Sequence, residues 1–230
     1  MRIRALFVAI LLAVVGRCVL AAGAGPDPDR PSLFSSYDVL QVKITAPLQD
    51  LFSTSQQKPD YSVRGLFTHG DASADVEITV RGGTSRRESE CPFPKLKLRF
   101  DKNAPSVFRD LRTVKIGTHC GDRSDGDLTS RFGRWANEKS PLREAFIYRL
   151  LDALDVTSLK ARPARITYVD GDRRIVRNAF FLEDDGPAMK RLGGVREIEP
   201  AQFHGADRDF SPQDAAKLAF AEAEIGRAHV

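Results

Sequence analysis

Residues Pro94-Lys95-Leu96-Lys97-Leu98-Arg99-Phe100-Asp101 alternate without a break between apolar and charged side chains. In an extended backbone Leu96, Leu98 and Phe100 fall on one face and Lys95, Lys97 and Arg99 on the other. That pattern predicts a half-buried antiparallel strand. Upstream, Val76, Ile78 and Val80 alternate in the same way until Arg81-Gly82-Gly83 ends the pattern, and Val39, Val42 and Ile44 lie in an earlier β-branched-rich run. Downstream, Val114 and Ile116 form a shorter strand, with Lys115 on its opposite face and Gly117 near its end.

Further out, the period changes from two to 3.6. Ser140-Pro141 supplies a cap residue and a first-turn proline, and Leu142, Phe146, Leu150 and Ala153 then recur at helical spacing, supported by Ile147, Leu151 and Leu154. The spacing predicts a helix of about four turns. After Pro163, Ile166 and Tyr168 lead to an Asp170-Gly171 hairpin turn, and Val176 to Leu182 returns as a largely apolar strand. The segment from Ser211-Pro212 to about Ala223 starts a second helix that is expected to be cut off, and Trp135 lies in a Gly- and charge-rich loop. The expected fold class is α+β, an antiparallel sheet with a packed helix.

Composition bounds the chain without naming a partner. With 230 residues, 42% hydrophobic and 29% charged, it is long enough for one domain with its own core, which excludes collagenous, coiled-coil and wholly disordered readings. Thirty-five Lys and Arg against 31 Asp and Glu give a formal charge of +4, and removal of Arg2, Arg4 and Arg17 with an N-terminal signal leaves the mature chain near +1. The only short basic turn is Arg86-Arg87, so no nucleic-acid partner is expected.

Both termini carry expectations of their own. Arg2 and Arg4 precede an apolar run from Ala5 to Val15 and the small residues Ala21, Ala22, Gly23 and Ala24, the order of a secretory signal peptide cleaved after Ala24. Eleven apolar residues are too few to span a bilayer, so no stable membrane span is expected after cleavage. Residues 25–37, with Pro26, Pro28 and Pro31, read as an extended leader. Cys18 is discarded with the peptide. At the other end, Ile225-Gly226-Arg227-Ala228-His229-Val230 is the translation of a common short-read sequencing adapter, ATC GGA AGA GCA CAC GTC, in one frame. The natural chain is therefore expected to continue past about Glu224, the alternative being a short tail.

Export leaves Cys91 and Cys120, an even number in an oxidising compartment, and they are expected to pair. Cys91 precedes the strand from Pro94 and Cys120 follows the strand ending at Gly117, so a hairpin-like adjacency brings them together. The alternatives are two isolated buried thiols or a thiol-active site. None of His69, His119, His204 and His229 is paired at metal-ligand spacing, and no metal site is expected.

The element order also admits nucleotide chemistry. A Gly-rich turn lets backbone amides approach phosphates, a strand lysine neutralises their charge, and a helix glutamate fixes the lysine by an ion pair. Gly82, Gly83, Ser85, Lys115 and Glu144 fill these roles, and Glu183, Asp184 and Asp185 follow as a hinge; Lys97 competes with Lys115. Each position also has a plain reading: a turn for the glycines, a solvated strand face for Lys115 and a helix-dipole contact for Glu144.

Arg81-Gly82 with Ser85, the basic strand Lys95 to Lys102, Leu142-Arg143 with Tyr148 and Leu150, Val169-Asp170-Gly171 and Phe180-Phe181-Leu182-Glu183 together resemble the spore-coat protein H (CotH) kinase-like family over roughly Val76 to Glu183. The chain is also similar to exported bacterial proteins sharing Thr118-His119-Cys120 and Leu142-Arg143-Glu144. The CotH resemblance implies a protein-kinase-like small lobe over residues 38–185, a helical large lobe starting over 186–224 and truncated, and ATP and Mg as cofactors. It also implies phosphorylation of an envelope or coat protein as substrate. No catalytic carboxylates can be placed before Glu224, so the fragment is expected to be inactive. The alternative is a non-catalytic exported protein with a structural or interaction role in the envelope.

Overall fold

In the computed structural model, residues 32–89, 91–101, 105–108, 110–120, 138–194, 212–213, 215–217 and 219–220 are described, and all lie in the unit from Pro31 to Val230. Seven strands lie among the described residues: β1 (Leu40–Thr45), β2 (Ser62–His69), β3 (Ala72–Val80), β4 (Leu96–Phe100), β5 (Thr113–Gly117), β6 (Ala161–Asp170) and β7 (Arg173–Leu182). α1 (Leu48–Thr54) and α2 (Ser140–Ala153) lie between strands, α3 (Asp185–Arg191) follows β7, and residues 212–213, 215–217 and 219–220 are also helical.

The strands close into a barrel in the order β1-β2-β3-β4-β5-β7-β6. Five of the neighbouring pairs among β1 to β7 that flank the closure run antiparallel, as does β6 with β7, while β1 and β6 run parallel from Leu40 opposite Ala164 to Thr45 opposite Val169. This corrects the expected α+β fold with a kinase-like small lobe. A sheet with free edges is replaced by one that has none. The physical reason is the β1–β6 pairing. It joins segments more than a hundred residues apart through backbone groups, and alternation within a strand carries no sign of its neighbour.

Alternation does determine which side chains enter the barrel. Leu40, Val42 and Ile44 of β1, Val76, Ile78 and Val80 of β3, Leu96, Leu98 and Phe100 of β4, and Val114 and Ile116 of β5 are all buried in one cluster. A barrel of this size is filled by its own side chains. One end is plugged by rings: Phe67 meets Phe100, Phe108 and Phe181 edge-on at centroid distances of 5.2, 4.8 and 6.2 Å. The last part of the expected leader, Ser32–Phe34, forms a 3-10 turn and buries Leu33 and Phe34 in the same cluster. Leu48 and Leu51 of α1 and Phe93 fill the opposite end.

The helix at Ser140–Ala153 forms where its cap and proline signals place it, but not on the expected face. Phe146 is 61% exposed, while Pro141 and Ala145 are buried. The helix touches only the outside of the barrel, where Ala145 and the half-buried Tyr148 pack on Phe180 and Leu182. Small residues suit that contact because the sheet already presents two large side chains. The helix is thus a patch on a closed barrel and not a layer over an open sheet.

Cys91 and Cys120 form a disulfide, as the adjacency of β4 and β5 predicts. Among the described residues no helix is long and apolar enough to cross a membrane. The expected signal peptide (1–24), the expected leader up to Pro31, Trp135, His204 and the segment 225–230 lie outside the described residues.

Candidate functional site

Outward-facing positions of β4 and β5, with Arg81 just after β3, collect cations on one side of the barrel, next to α2. Lys97 and Lys115 are register partners across β4 and β5. Two ammonium groups side by side repel, and here Asp184, just after β7, separates them. Its carboxylate accepts from Lys97 at 2.7 Å, lies 3.5 Å from Lys115 and accepts from the Thr113 hydroxyl at 2.7 Å. Lys115 also reaches Asp185 at 2.6 Å. Burial alone would raise the pKa of Asp184, but the hydrogen bonds from Lys97 and Thr113 and the charges of both lysines hold it below the usual carboxylate range.

Arg81 stands apart from this balance. Its side chain leaves the end of β3, crosses β4 and donates from Nε to the Ile116 carbonyl at 3.4 Å, one residue from Lys115. Among the described residues its guanidinium forms no ion pair with a carboxylate. Burial lowers its pKa, and only the more distant charges of Glu144, Tyr148, Asp185 and Asp184 act in the opposite direction. The Gly82–Gly83 turn begins beside it. Gly82 has a φ of +85°, which favours glycine, and a Cβ there would fall 2.7 Å from Ser85 Oγ. Ser85 locks the turn by donating to the Arg81 carbonyl at 2.6 Å. The space above Gly83 is open.

The expected nucleotide set is therefore gathered only in part. Gly82, Gly83 and Ser85 adjoin Arg81, and Lys115 immediately precedes Ile116, whose carbonyl Arg81 contacts. Glu144 acts on Arg81 and Tyr148, whereas the ion-pair partners of Lys115 are Asp184 and Asp185. Glu183 is fully buried and binds Arg191 at 2.6 Å and the Lys160 amide at 3.1 Å, so the segment Glu183 to Asp185 ties α3 and the end of β7 to the barrel. Arg81 and Lys97 carry more of the site than sequence reasoning assigned to them. The register of β4 on β5 is the signal that places Lys97 beside Lys115.

Inside the barrel wall, sequence reasoning missed a second charged group. β5 stops pairing with β7 after Gly117 opposite Phe180, and beyond that point the Asn178 amide donates to Glu138 at 2.7 Å in place of a strand. Glu138 also accepts from Arg177 Nε at 3.1 Å and contacts His119. Arg177 is fully buried, with its guanidinium 4.4 Å from the Phe93 ring centroid. This group completes the wall where strand pairing ends.

No model of a known protein family matches the chain, and comparison with curated proteins finds no match.

Proposed function

We propose that the exported chain binds the phosphates of a nucleotide such as ATP on the outside of its barrel, between α2 and the β4–β5 face. One observation carries the reading: Arg81 is a half-buried guanidinium whose side chain hydrogen-bonds only a carbonyl among the described residues, next to an open glycine turn and two lysines. A cation in that state gains most from an anionic ligand, and the guanidinium fork matches phosphate geometry. Backbone amides of Gly82 and Gly83 would supply further donors. An incoming phosphate would compete for Lys115 with Asp185, whose side chain is 53% exposed and easily displaced.

The cofactors implied by the resemblance fit unequally. The cations suit the phosphates of ATP. Magnesium is less well served, because Asp184 and Asp185 already engage Thr113 and both lysines, and no group of three metal-ligating side chains lies among the described residues. The proposal is accordingly one of binding, with phosphorylation of an envelope or coat protein left out of the chemistry derived for these residues.

A second reading has its own support. Lys97, Lys115, Asp184 and Asp185 carry no net charge together, and as a clasp between barrel and α3 they suit a non-catalytic envelope module. Titration calorimetry with ATP and pyrophosphate separates the two. Under the binding proposal Arg81→Ala and Lys115→Ala each weaken binding by about tenfold or more at unchanged melting temperature. Equal affinity in parent and variants removes these residues as phosphate contacts, and absence of binding to the parent favours the module.

A further inference from the structure

A cavity of about 390 Å³ opens at the disulfide end of the barrel, between α1, the segment Cys91 to Pro94 and the β6–β7 turn. Phe52 and Phe93 form part of its wall, edge-to-face at 5.3 Å, with Ile175 also lining it. Two guanidinium groups line it as well, those of Arg86 and Arg173, and neither forms an ion pair among the described residues. Of the two lining carboxylates, Asp170 accepts from the Gln49 amide at the start of α1 at 2.8 Å, while Glu88 is exposed at the surface.

Polar groups in this wall are also incompletely satisfied. Arg86 donates to the Val80 carbonyl at 3.3 Å, but its Nε is buried without a partner. Tyr168, which lines the cavity and is 1% exposed, has a hydroxyl in the same condition. Arg86 Nε can only donate and the Tyr168 hydroxyl can donate or accept, so a ligand acceptor can serve either.

We propose that this cavity binds a small aromatic carboxylate, with its ring against Phe52 and Phe93 and its carboxylate toward Arg86 and Arg173. Its volume falls near the lower end for ligand pockets, which suits a single-ring acid more than a long lipid. Two cations offset by two carboxylates favour a monoanion over a polyphosphate. Aromatic walls with a few convergent donors are the usual composition of such a site. The site lies apart from the Arg81 face and does not depend on the phosphate reading.

The test titrates the full chain with 3-phenylpropanoate, followed by calorimetry and by saturation-transfer NMR. Saturable binding is expected with a Kd on the order of 0.1–1 mM, and 3-phenylpropanol, the neutral analogue, should bind roughly tenfold more weakly. Arg173→Ala, at an exposed position, should weaken the acid several-fold and leave the alcohol unchanged. Ser53→Trp, on the exposed side of α1, should block both by filling the cavity. Equal affinity for acid and alcohol, undiminished binding in Ser53→Trp with near-UV circular dichroism unchanged, or no binding at about 10 mM acid would each overturn the proposal.

Discussion

Burial alone would raise the pKa of Glu138, yet the hydrogen bonds from His119 and the Asn178 amide and the charge of Arg177 hold it below the ordinary glutamate value. Asp184 is held low by its own donors in the same way. A carboxylate whose folded pKa is depressed contributes stability above its unfolded value and loses it as pH falls through the folded one. Melting temperature should therefore hold from neutral pH down to the ordinary carboxylate range and decline below it. In Glu138→Gln the buried Arg177 keeps its charge but loses this carboxylate, a change worth about 3–5 kcal/mol at neutral pH, and the acid decline becomes shallower. An equally steep decline in the variant would show that other groups govern acid unfolding. Packing makes a comparable single-residue statement: Phe67 is fully buried among three other rings, so Phe67→Ala should cost about 3–5 kcal/mol by denaturant midpoint.

Among the elements, the disulfide joins the entry of β4 to the exit of β5 and closes 29 residues of sequence. Loop-entropy reasoning gives such a link about 3–4 kcal/mol. Reduction, or Cys91→Ser with Cys120→Ser, should lower the melting temperature by roughly 6–15 °C for a domain of this size. An unchanged melting temperature would mean that strand pairing alone holds the two ends. Legibility at this scale followed period and punctuation. The alternation at Lys95 to Phe100 placed β4, Asp170-Gly171 placed the β6–β7 hairpin, and Ser140-Pro141 placed the start of α2. β2 went unseen because Gly65 interrupts its pattern at the point where a Cβ would fall 2.8 Å from Ala46 Cβ. The buried face of α2 was misread because Ala145 packs where the large Phe146 was expected.

For the whole molecule, closure and site were legible to different degrees. Nothing in Leu40 to Thr45 or Ala161 to Asp170 announces that they pair in parallel, because the information lies in backbone groups common to all residues. The glycine turn and Lys115 could be named from residue chemistry, whereas the convergence of Arg81 and Lys97 on them required the register of three strands. We propose that the outer β4–β5 face beside α2 receives phosphate. Backbone amide NMR of the full chain titrated with pyrophosphate tests it most directly. Saturable shifts should concentrate on Arg81, Gly82, Gly83 and Ile116, and should be lost in Arg81→Ala. Shifts scattered over the barrel, or none at millimolar pyrophosphate, would contradict it.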